Sequence, residues 1–104
     1  MGKHDFTALY EQYPALIASM KPVFGSHEFI LKLAQQNQTI YVDALHTYCD
    51  SEEPFQIVHG QLSANLGKFP KLIELIDSTL PSHDIFGNPN TCAQWKKLVQ
   101  PQEK

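Results

Sequence analysis

The sequence predicts a mainly α fold, a single compact domain of five or six short helices that can include a helix-turn-helix-like core. Hydrophobic residues make up 42% of the 104 residues and charged residues 18%, which is enough apolar material for one buried core. Apolar side chains recur every three or four positions along most of the chain, and prolines separate these periodic stretches. We therefore expect residues 1–104 to form one domain whose ends, 1–4 and 101–104, fray.

The first two predicted helices each carry an apolar stripe. One runs from about residue 5 to residue 20, begins at the N-cap Asp5 and kinks or divides at Pro14. The other begins with Ser26 as its N-cap, and its stripe ends in the polar run 35–38. Because each stripe covers one side of its helix, both helices are expected to pack on a common core.

The third and fourth predicted helices follow with short connections. Thr39 caps the third helix, whose stripe includes Cys49. Pro54 occupies the first position of the fourth helix, and Gly67 ends it. The apolar stripe of the fourth helix consists of Phe55, Val58, Leu62 and Leu66.

Small residues on the fourth helix predict a second contact. Gly60 and Ala64 lie nearly opposite its apolar stripe when the residues are placed 100° apart. Because small side chains let a neighbouring element approach closely, we expect this helix to be sandwiched at the centre of the domain. Replacement of Ala64 by Glu should then cost several kcal/mol, since a charge would enter a close helix contact.

The last third of the sequence allows more than one structure. Residues 71–79 fit either a helix or a strand, and their leucine, lysine and glutamate content favours the helix. Thr91 and Gln94 form a capping box, which predicts a final helix that carries Trp95.

The alternative fold contains a short β-hairpin within residues 71–87. If 71–79 and 84–87 are strands, the order of elements over residues 26–97 resembles that of a winged-helix domain. That resemblance rests on helix order, and it implies that the fourth helix enters DNA.

Charge favours a protein partner over a nucleic acid. The net charge is −3, all eight basic residues are lysines, and the stretch from Pro54 to Gly67 contains none of them. Binding to a phosphate backbone needs clustered cations, so a nucleic-acid partner is disfavoured. The chain also lacks an apolar run of roughly 20 residues, and we expect no membrane partner and a cytoplasmic location.

The motifs predict a non-enzymatic interaction or regulatory module with no cofactor. Phosphate loops, dinucleotide fingerprints and the common hydrolase motifs are missing from the sequence. His46 and Cys49 have the spacing of two metal ligands on a helix, but Cys49 lies on the apolar stripe, which favours a buried, reduced thiol over a metal site. His46, His59 and His83 are the candidates for acid–base chemistry, and no carboxylate partner can be assigned to them. We expect no metal site and no enzyme.

The polar residues of the fourth helix and the lysines that follow it are the candidate surface for a partner or a nucleic acid. Glutamine and asparagine can pair with adenine edges, and the lysines are the nearest cations. The candidate residues are Gln56, His59, Gln61, Ser63, Asn65, Lys68 and Lys71. The acidic run 50–53 offers a second hypothesis, an acidic docking patch, beside the simpler interpretation as a solvated helix start.

Overall fold

The protein combines helices with an antiparallel sheet, so the predicted mainly α domain of five or six helices is wrong. The structure is a computed structural model that describes residues 5–98, about 50% of it helix and 24% strand. The ends predicted to fray, 1–4 and 101–104, lie outside these residues. The elements in chain order are α1 (Thr7–Tyr10), α2 (Tyr13–Ser19), β1 (Val23–Gly25), α3 (Ser26–Gln36), α4 (Gln38–Thr47), α5 (Pro54–Asn65), a 3₁₀ turn (Leu66–Lys68), β2 (Ile73–His83) and β3 (Pro89–Lys97).

The helices start close to their predicted positions. The first stretch divides into α1 and α2, and Pro14 lies in the first turn of α2, where a missing N–H costs little. The N-cap of α3 is Gly25 rather than Ser26, and the carboxylate of Glu28 accepts a hydrogen bond of 3.1 Å from the Gly25 N–H. Pro54 begins α5, as its fixed φ angle favours.

The sheet has the order β1-β3-β2 with antiparallel pairing, so β3 is its central strand. Trp95 of β3 lies opposite Phe24 on one side and Leu75 on the other. The predicted final helix over this stretch is therefore wrong, because pairing with two strands outweighs the local capping box.

The β-hairpin is longer than the alternative fold required. Its arms are β2 and β3, so residues 71–79 belong mostly to a strand, whereas 84–87 form the turn and the predicted hairpin bounds of 71–87 are wrong. Asp84 Oδ1 accepts hydrogen bonds from the backbone N–H groups of Phe86 (2.9 Å) and Asn88 (3.0 Å). Gly87 adopts a positive φ of 86°, which a residue without a Cβ tolerates.

The core lies between the helices and one face of the sheet. Two polar groups within it are satisfied across long sequence separations: the Tyr13 hydroxyl donates to the Leu62 carbonyl, and Trp95 Nε1 donates to the Ser26 hydroxyl at 3.0 Å. The largest fully buried side chains include Tyr13, Phe24, Phe29, Leu9, Ile30, Leu33 and Leu62. Such pairing removes the cost of burying polar atoms.

Helix α5 is open on the side that was predicted to be sandwiched. Gly60 and Ala64 are exposed, and a Cβ at Gly60 would meet no heavy atom of a neighbouring element within 4 Å. Val58 and Leu62, on the opposite side, are fully buried. The sandwich prediction is wrong because α5 packs against α3 and α4 through its buried side, and no other element covers its small residues within the described part of the chain.

Candidate functional site

A groove of about 500 Å³ runs between α3, α5 and the tip of the β-hairpin; we call it the α5 groove. Each of the three elements supplies part of the groove wall, and the buried side chain of Ile30 also lines it. The lining residues are His27, Ile30, Phe55, Gln56, His59, Gly60, Ser63, Asp84, Phe86, Asn90, Thr91 and Cys92. A concave site of this size is typical of ligand and peptide binding.

Aromatic rings form one edge of the groove, and we call Phe55, His59 and Phe86 the aromatic rim. The rings of Phe55 and Phe86 meet edge to face, with centroids 4.7 Å apart. His59 stacks nearly parallel to Phe86 at 6.3 Å. Phe55 remains 41% exposed and Phe86 54% exposed, although Phe55 was predicted to lie on the buried stripe. The rim therefore presents apolar faces to solvent at the mouth of a groove.

His59 is held against α4 and is neutral near pH 7. Burial, reinforced by the nearby His27, lowers its pKa from the usual 6.5, while Asp84 opposes this effect. The Tyr41 hydroxyl lies 2.5 Å from His59 Nε2, and burial raises the pKa of Tyr41 to about 12. The phenol is therefore protonated, and when it donates to Nε2 the neutral imidazole carries its own proton on Nδ1.

Asp84 supplies a permanent negative charge at the tip of the hairpin. Hydrogen bonds from the backbone N–H groups of Asn88 and Phe86 lower its pKa, and His27 adds to the effect. A carboxylate with a lowered pKa is ionised throughout the neutral range. Among residues 5–98, no lysine lines the groove. Asp84 is the one carboxylate among the described residues that line the groove.

The predicted surface residues divide between two sides of α5. Gln56, His59 and Ser63 line the α5 groove. Gln61, Asn65 and Lys68 line a second hollow of about 440 Å³, together with Tyr10 and Ala64. Asn65 is only 9% exposed, and Lys71 is exposed but lines neither hollow. The seven residues therefore do not form one continuous site.

The hairpin residues of the groove were not among the sequence candidates. Asp84 and Phe86 come from the turn, and His27 comes from the start of α3. The sequence holds a signal for Phe86 alone, a large apolar side chain directly before Gly87 in a turn, where such side chains are often left exposed. The proximity of Asp84 and Phe86 to α5 depends on the long-range pairing of β2 and β3.

The histidine and cysteine candidates are dispersed. Cys49 is exposed, so the prediction of a buried thiol is wrong there, whereas Cys92 is buried against the groove. His46 is exposed on α4 and His83 ends β2, and neither lines the groove. Within residues 5–98, no group of three or more His, Cys, Asp or Glu side chains is placed to hold a metal ion.

In the described part of the chain, every helix is too short or too polar to cross a membrane. Comparison of the chain with protein-family models, with curated proteins and with solved structures found no match.

Proposed function

We propose that the protein is a small non-enzymatic interaction module that binds a protein partner through the α5 groove. The observation that carries this proposal is the exposed pair Phe55 and Phe86, whose rings touch at the mouth of the groove. Large aromatic side chains that stay exposed beside a concavity are typical of binding surfaces, because their burial by a partner supplies much of the binding energy.

The charges support a protein rather than a nucleic acid as the partner. Asp84 lies in the groove, and the net charge of the chain is −3. Association with a duplex depends on lysine and arginine contacts to phosphates, and a carboxylate at the binding surface opposes it. An aromatic surface without such cations fits a polypeptide better.

Capture from a lysate of the source cell tests the proposal when three chains are compared. The chains are the wild type, Phe86→Ser in the aromatic rim, and Val42→Ser on α4 as a control; Val42 is 59% exposed and does not line the groove. We expect nuclease-resistant partner proteins that Phe86→Ser loses and Val42→Ser retains. Equal capture by all three chains, or capture that disappears with nuclease, would contradict the proposal.

A second candidate function is DNA binding by α5, and the open side at Gly60 and Ala64 favours it. A recognition helix needs such a free side to enter a groove of the duplex. The charge argues against it, and we expect affinity for random duplex no better than about 10⁻⁴ to 10⁻⁶ M at physiological salt. Submicromolar binding in a fluorescence titration, falling steeply as salt rises, would favour this second function.

A further inference from the structure

We infer that the α5 groove binds a basic, apolar segment of its partner, in which an arginine or lysine stands beside a large aliphatic or aromatic side chain. This inference rests on the proposed function and adds the chemistry of the bound segment. It follows from the juxtaposition of the exposed rings of Phe55 and Phe86 with the Asp84 carboxylate in the same groove.

The apolar part of the segment is indicated by the aromatic rim. Phe55 and Phe86 are partly exposed at the mouth of the groove, and the buried side chain of Ile30 lies on its wall. A leucine, isoleucine or phenylalanine of a partner would cover these surfaces and exclude water from them.

The cationic part is indicated by Asp84, which lies two residues before Phe86. Its Oδ1 atom accepts hydrogen bonds from the backbone N–H groups of Phe86 and Asn88, so the carboxylate is held against the backbone of the turn that carries Phe86. An ionised carboxylate can accept further hydrogen bonds from a guanidinium or an ammonium group. The faces of Phe55 and Phe86 also attract a cation through the ring quadrupole.

Two exposed glutamates stand next to the rim in the sequence. Glu52 and Glu53 directly precede α5, and the Cα of Glu53 lies within about 8 Å of the Cα of Phe55, because consecutive Cα atoms are about 3.8 Å apart. Burial lowers the pKa of His59, which favours its neutral form near pH 7. In the part of the chain that the structure describes, the groove wall offers no lysine to an anionic segment.

The experiment measures the binding of three labelled synthetic peptides by fluorescence anisotropy. One peptide alternates arginine with leucine, one alternates glutamate with leucine, and one alternates arginine with serine. We expect the arginine–leucine peptide to bind at least about tenfold more tightly than either of the others, because it alone supplies both the cation and the apolar contact. Its affinity should fall as salt rises.

Matched variants separate groove binding from general attraction to an acidic protein. Asp84→Asn keeps the acceptor for the turn and removes the charge, and we expect it to weaken binding about threefold. The double change Glu52→Gln and Glu53→Gln gives a second charge test away from the turn. Glu11→Gln removes one exposed charge outside the groove and should leave the affinity unchanged. Phe86→Ser should abolish the preference for leucine over serine.

Several results would overturn the inference. These are tighter binding of the glutamate–leucine peptide, equal effects of Asp84→Asn and Glu11→Gln, and an unchanged affinity in Phe86→Ser. If the basic peptide fails to bind while the lysate capture still depends on Phe86, the segment chemistry is wrong and the interaction function stands. If a DNA duplex displaces the peptide from the wild type and itself binds tightly, both the inferred segment chemistry and the proposed protein-binding function are wrong.

Discussion

The inner side of helix α5 is buried in the core, whereas its outer side borders the α5 groove and solvent. On the inner side, Val58 and Leu62 are fully buried, and the Leu62 carbonyl accepts a hydrogen bond from Tyr13. On the outer side, Gly60 and Ala64 are exposed. The difference indicates that α5 contributes to stability through one side and leaves the other exposed, so substitutions on the two sides should have separable effects.

The largest effect is expected for Leu62→Ala on the inner side. Removing a fully buried leucine side chain leaves a cavity, and we expect a loss of about 2–5 kcal/mol in the free energy of unfolding. Urea denaturation followed by circular dichroism measures this loss. A loss below about 1 kcal/mol would mean that the inner side of α5 is not tightly packed.

A smaller effect is expected for Tyr13→Phe, which keeps the ring and removes the hydroxyl that donates to the Leu62 carbonyl. A buried hydrogen bond of this kind contributes roughly 0.5–1.5 kcal/mol, and we expect a destabilisation within that range. The same denaturation experiment applies, and Tyr13→Leu distinguishes the hydroxyl from the ring, because the loss of the ring should cost more. Unchanged stability in Tyr13→Phe would show that this hydrogen bond contributes nothing to the fold.

Gly60→Ala should increase stability, which is the reverse of what a sandwiched helix predicts. The new methyl group meets no neighbouring element within 4 Å, and alanine is favoured over glycine in a helix by roughly 0.5–1 kcal/mol. The denaturation midpoint should therefore rise. A lower midpoint would indicate that another part of the chain packs against this position.

Ala64→Glu should have the smallest effect. Because Ala64 is exposed and the two residues have similar helix propensities, we expect a change within about 0.5 kcal/mol. The result is compared with Leu62→Ala under identical conditions. Destabilisation of Ala64→Glu by several kcal/mol would remove the contrast between the two sides and restore the sandwiched arrangement.

The helices could be predicted from the sequence because their signals are local. Apolar periodicity and the positions of Pro14 and Pro54 are readable within a few residues, and the elements they indicate occur close to the expected bounds. The strand β3 could not be predicted in this way. Its Thr91–Gln94 capping box favours a helix, and the pairing that overrides it involves β1, a strand too short to show a pattern of its own.

The candidate site could be predicted only on the side that α5 contributes. Gln56, His59 and Ser63 were identified because a polar helix surface is visible in the sequence. Asp84 and Phe86 reach the same groove through the hairpin, whose position depends on strand register rather than on neighbouring residues. The prediction of a close neighbour at Gly60 and Ala64 is wrong for a related reason: small residues allow such a neighbour, but they do not require one.

The central position of β3 has a consequence for how the protein folds. Within residues 5–98, β1 and β2 each pair with β3 and not with one another, and Val23 of β1 lies opposite Lys96, roughly 70 residues downstream. Lys97 Nζ closes the same long loop by donating to the carbonyls of Ala18 and Met20, at 2.9 Å each. Such non-local closure slows folding relative to a helical bundle. During synthesis, helices can form early, but β1 can pair only after β3, near the end of the described residues, has left the ribosome.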